Sequence, residues 1–93
     1  MLNTNELFAE ELSKIENLHA SKDARYGNAY GEVRKKYFNV PVVMLNIKLK
    51  RLETLLYNQS LESEESIEDT LRDMASYCVM ELVERKLEAN EGK

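Results

Sequence analysis

Cysteine, proline, glycine, histidine and tryptophan are scarce or missing in this chain. Its 93 residues hold one Cys, one Pro, three Gly, one His and no Trp. The lone Cys78 rules out an internal disulfide. Its place among apolar residues of a helical segment predicts a small buried hydrophobe in a cytoplasmic protein. The sole His19 has no Cys or second His near it, which argues against a histidine-based zinc site or a Ser-His-Asp triad within one chain. No apolar run approaches the roughly 18 residues of a bilayer span, and no apolar signal segment follows Met1, so no membrane role is expected. Positive charge is short as well. Thirteen Lys and Arg against 17 Asp and Glu leave a net charge of −4, without the basic footprint of a protein that binds nucleic acid directly.

What remains is an ordinary globular balance, 43% hydrophobic and 32% charged, in a single domain spanning 1–93. A monomer this short buries only about two-thirds of its unfolded surface, so a core shared in a homo-oligomer, dimer or tetramer, is expected. Apolar spacing is helical nearly throughout, and no segment alternates as a strand does. Leu7, Phe8, Leu12, Ile15 and Leu18 predict a first helix from the cap Thr4 to about Lys22. "DARYGNAYG" (23–31) reads as a loop, leading into a short helical turn through "EVRKKYF". Pro41 opens a second main helix to Tyr57, since its missing N–H is not needed in a first turn. A third main helix follows, capped by Ser66 or Ser63 and running to about Glu88, with Ile67, Leu71, Met74, Cys78 and Leu82 inward and "ANEGK" frayed. The fold class is all-α, three main helices and a short one.

Two helical faces depart from a simple amphipathic pattern. Glu65, Asp69 and Asp73 share the side of the third main helix that becomes apolar at Met80, Val83 and Leu87, so something is expected to cover those acids. Glu68 lies off that line, towards solvent. On the second main helix, Lys48 projects into the apolar stripe between Met44 and Leu52, with Arg51 at its edge. A buried cation must pair, snorkel or meet a ligand. Two outcomes stand open: an internal ion-pair network of Lys48 and Arg51 with Asp69 and Asp73, or a ligand site. In the second, the cations hold phosphate and the acids, at i and i+4, share a hard cation such as Mg²⁺.

Three segments in order, "ARYGNAYG" (24–31), "KLKRLETLL" (48–56) and "ESIEDTLRDMASYCVM" (65–80), resemble the nucleotide modification associated domain, a small domain of many phages and bacteria. Its D-YG element corresponds to Asp23, Tyr26 and Gly27. Its K-x-x-R segment corresponds to Lys48 and Arg51, and its acidic segment to Glu65, Ser66, Asp69, Asp73 and Tyr77. The likeness covers residues 22–81. That domain is similar to the MazG-like all-α nucleoside triphosphate pyrophosphohydrolases, which implies a MazG-like helical bundle completed by oligomerisation. The E-E-x-x-E and E-x-x-D motifs of those enzymes have no counterpart here: Lys48 and Arg51 stand in the place of the first, and "EDTLRD" is not the second.

The resemblance implies a nucleotide-binding domain, either a Mg²⁺-dependent (d)NTP pyrophosphohydrolase or a nucleotide-pool accessory protein. No residue is assigned a catalytic role. Asp69, Asp73 and Glu65 would hold the metal, Lys48 and Arg51 the phosphates. Tyr26, Gly27 and Asn28 would lie against the base, with Tyr77 and Asp23 behind these groups. The basic run 34–36 would either guide a triphosphate or stay solvated. A non-catalytic module binding a host protein on the same scaffold is the alternative.

Overall fold

A computed structural model describes residues 2–26, 28–58 and 64–91, with the side chains of 24–26, 64 and 65 outside the description. The described residues form four helices: α1 (Thr4–Tyr26), α2 (Ala29–Lys36), α3 (Val40–Tyr57) and α4 (Glu64–Glu91). The all-α class and the order of three long helices and one short one agree with the sequence. No described helix is long and apolar enough to cross a membrane.

Local chemistry sets most of the helix ends. Asn3 rather than Thr4 closes the start of α1: its Oδ1 accepts the Glu6 N–H at 2.9 Å, while its Nδ2 donates to the Glu6 carboxylate at 3.2 Å. Thr4 is already helical. With neither Gly nor Pro before residue 27, nothing stops α1 at Lys22. The helix runs on through Tyr26, and the expected loop shrinks to its last positions. Asn28 caps α2, its Oδ1 accepting the Gly31 N–H at 3.2 Å. Pro41 sits in the first turn of α3, as its fixed φ favours. Ser66 lies inside α4, so it is no cap; its carbonyl accepts the Thr70 hydroxyl at 2.8 Å. Ser63 falls outside the described residues. The C-terminus is helical to Glu91, past the expected end at Glu88.

α4 is the spine. At 28 residues it is about 42 Å long by the α-helical rise of about 1.5 Å per residue. α3 packs along it, and α1 and α2 dock on it more sparsely. The expected inner stripe of α4 is only partly turned in: Ile67 and Met74 are half-buried, whereas Leu71 and Leu82 are about half exposed and Cys78 is exposed. The face turned to the neighbours is instead the polar one through Thr70, Asp73, Ser76, Glu81 and Glu84. Its charges meet cations from the other three helices. Few apolar side chains gain from the arrangement. Among the described residues only Val40 and Leu55 are buried hydrophobics.

Candidate functional site

α1, α2, α3 and α4 surround a cavity of about 270 Å³, lined by Lys22 and Asp23 from α1, Asn28 and Tyr30 at the start of α2, Met44 from α3, and Asp73 and Tyr77 from α4, among others. At its edge is the charged group the sequence pointed to. The inner stripe of α3 runs Val40, Met44, Lys48, Leu52, Leu55, so Lys48 is carried into the packed face at helical spacing. Its Nζ lies 3.0 Å from Asp73 Oδ2, and both side chains are mostly covered, at 23% and 19% exposure. Lys22 Nζ lies 3.1 Å from the other oxygen, Asp73 Oδ1. One carboxylate therefore holds two ammonium groups from two helices. Burial disfavours its charge, but hydrogen bonds from Lys48 and Lys22 outweigh that and keep the Asp73 carboxyl below its ordinary value.

The pairing of Lys48 with Asp73 is the internal link that the sequence offered as one of two readings. Asp69 pairs elsewhere. Asp69 points away from Lys48: its side chain is 65% exposed and lies 3.2 Å from Arg72 Nη1. Glu68 is exposed as expected, 3.6 Å from Arg72 Nη2. Arg51 is exposed on α3. The Glu65 side chain, the Tyr26 side chain and Gly27 lie outside the described residues. Among the described residues, no three His, Cys, Asp or Glu side chains converge as a metal site would require.

Two aromatic rings close one wall. Tyr30 and Tyr77 stack with centroids 6.1 Å apart and planes at 27°. The Tyr30 hydroxyl donates to Glu81 at 3.0 Å. Burial and that bond push its pKa up to about 12. Arg34 grips the same carboxylate with two bonds, Nε to Oε1 at 2.7 Å and Nη2 to Oε2 at 2.8 Å. Arg85 adds a third cationic donor at 2.9 Å. The Arg34 bonds hold Glu81 down to about 2. Thus the first residue of the basic run 34–36 turns inward and fixes α2, instead of facing solvent. Beside it, Glu84 is only 7% exposed. It packs against Gly31, where an added Cβ would stand 2.5 Å from Oε1. Glycine is what lets α2 lie this close to α4.

The cavity continues into a larger groove of about 610 Å³ between α1 and α4. Leu12, Ile15, Val79, Val83 and Leu87 supply apolar walls, while Glu16, Asp23 and Glu84 supply carboxylates. His19, Asp23, Asn28 and Tyr30 line both spaces, so Asp23 and Asn28 stand at the junction.

Lys22, Tyr30 and Arg34 are the participants that sequence reasoning missed. Lys22 carried the same signal as Lys48: it extends the Ile15–Leu18 face of α1 by one turn, a cation in line with an apolar stripe. It was hidden by ending the helix there.

A family model described as nucleotide modification associated domain 1 matches residues 22–84. No curated protein and no solved structure matches the chain. The match begins at Lys22 and takes in the Lys22–Asp73–Lys48 contacts, Tyr30, Arg34, Glu81 and Glu84.

Proposed function

The chain belongs to the nucleotide modification associated domain 1 family, and from that premise we propose that its four-helix cavity binds a nucleotide, with Lys22 and Lys48 as the phosphate anchor. One observation carries the reading: two ammonium groups from separate helices converge on a single carboxylate at the edge of a cavity. A phosphate offers more acceptor oxygens and more charge than Asp73, so it competes for the same donors with charge-assisted bonds. The Lys–Asp–Lys cluster is then the ligand-free state of the site, and binding exchanges one anion for another. The Tyr30–Tyr77 pair gives a flat apolar surface beside the anchor, of the kind on which a base stacks.

Mg²⁺ fits this donor set when it arrives with its nucleotide. The ion needs only one or two protein carboxylates when phosphates fill the remaining positions. Asp73, released by its lysines, is the residue to hold it. When bound, the ion would polarise a phosphoryl oxygen. Hydrolysis is the finer form of the reading and is tested separately, by pyrophosphate release.

The test is a calorimetric or thermal-shift panel of nucleoside mono- and triphosphates, each with and without Mg²⁺. A ligand at about 100 times its Kd stabilises the fold by roughly 2.7 kcal/mol. Lys48→Met is expected to weaken binding about ten- to a hundredfold, the worth of one charge-assisted hydrogen bond. If no nucleotide shifts the melting temperature and Lys48→Met stabilises the protein, the cluster is a structural ion pair. The scaffold then reads as an interaction module.

A further inference from the structure

We propose that Glu84 reads the base of the bound nucleotide, and that the base it selects is guanine. This rests on the nucleotide reading above and names the substrate class within it. Among the described residues Glu84 is the one charged side chain that is buried, at 7% exposure. The acids one turn away on either side of it are claimed: Glu81 by Tyr30, Arg34 and Arg85, and Glu88 by Arg34. No hydrogen bond or ion pair reaches Glu84 from the described residues. No described side-chain oxygen is both sealed off and without a partner, so this carboxylate opens on the groove between α1 and α4 that it lines. A carboxylate this covered is costly to keep ionised without donors. The groove therefore calls for a ligand that brings them.

The neighbouring groups narrow the ligand. Asn28 commits its Oδ1 to the Gly31 N–H at 3.2 Å, which leaves its Nδ2 as a donor. That Nδ2 and Glu84 Oε1 flank one side of Gly31: a Cβ added there would stand 2.4 Å from the first and 2.5 Å from the second. A donor thus sits beside an acceptor with two oxygens. The Watson–Crick edge of guanine is the complement, with O6 to accept and N1–H and the N2 amino group to donate side by side. Adenine and cytosine carry an accepting ring nitrogen next to their amino group, and uracil has carbonyls on both sides of its one N–H. Each of these would turn a lone pair towards Glu84. Placement agrees with chemistry. Asn28 and Tyr30 line both the groove and the cavity beside the lysines. Glu84 lies on the same face of α4 as Asp73, about three turns or about 16 Å further along by helical geometry. Phosphates at Lys22 and Lys48 and a base edge at Glu84 are then the two ends of one ligand, with the Tyr30–Tyr77 pair between them.

Calorimetry of the full chain with Mg²⁺ compares GTP, ITP, ATP, CTP, UTP and inorganic triphosphate. GTP is expected to bind at least about a hundredfold tighter than ATP, since the wrong base leaves the buried groups of the site unpaired. ITP lacks only the N2 amino group and is expected to bind about tenfold more weakly than GTP, the worth of one hydrogen bond to a charged acceptor. Glu84→Gln replaces an acceptor oxygen by a donor and is expected to bring the GTP-to-ITP ratio to about one. Circular dichroism checks that this variant folds, and where it does not, the wild-type ratio decides alone. Equal affinities of the wild type for GTP and ITP, or a preference for GTP that survives in folded Glu84→Gln, overturn the assignment while leaving nucleotide binding at the lysines intact. If the wild type binds neither a nucleotide nor inorganic triphosphate, the nucleotide reading itself falls and takes this inference with it.

Discussion

Glu81 shows how much one carboxylate can organise. It accepts from Tyr30 on α2, from Arg34 twice, and from Arg85 one turn along α4. Its pKa lies near 2 in the fold against an ordinary 4.5, so the folded protein holds it ionised where the unfolded chain takes up a proton. Its contribution is complete above about pH 4.5 and fades as pH falls towards 2. Glu81→Gln is expected to cost about 1–2 kcal/mol at neutral pH, because it weakens bonds to a cation without emptying the space. Urea denaturation at pH 7 and pH 3 checks this: the gap between variant and wild type should narrow in acid. Lys48 was legible at this scale because a charge in an apolar stripe stands out on a helical wheel. Glu81 was not. Its partner Arg34 lies 47 residues away, and no local pattern links the two.

Helix existence and order were legible element by element, because apolar period, the near-absence of Gly and Pro, and Pro41 all act locally. Which side of a helix faces in is a different matter, as α4 demonstrates. Ile67, Leu71, Met74, Cys78 and Leu82 make the better hydrophobic stripe, yet Leu71, Cys78 and Leu82 stay exposed while α4 turns Asp73 towards Lys22 and Lys48 and Glu81 towards Arg34. The stripe rule assumes that apolar burial within one chain decides orientation. Here cations of three other helices meet the carboxylates of the inward face, and part of the apolar stripe stays exposed. α2 is the element most sensitive to this packing. Gly31→Leu would drive a side chain into Asn28 and Glu84. It is expected to destabilise by about 1–3 kcal/mol as an overpacked contact. Because it pushes α2 off α4, it should also disturb the Tyr30–Tyr77 stack, visible as a change in near-ultraviolet circular dichroism.

At the scale of the molecule, the helices other than α4 have little to hold on to but α4. α1 meets it through Glu11–Arg72 and Lys22–Asp73, and α2 through Arg34–Glu81, contacts that join residues 61, 51 and 47 positions apart. A fragment ending at residue 58 lacks every one of these partners. Single helices of 23, 8 and 18 residues are marginal in water on their own. The fragment's far-ultraviolet helicity per residue is therefore expected to fall well below that of the full chain. The same placement bears on synthesis. A ribosome delivers the chain from its N-terminus, so α1, α2 and α3 emerge before the spine they dock on exists. Folding domain by domain during translation has nothing to act on here. Until α4 is released, the exposed leucines and valines of three nascent helices depend on speed, or on a chaperone, to stay out of aggregates.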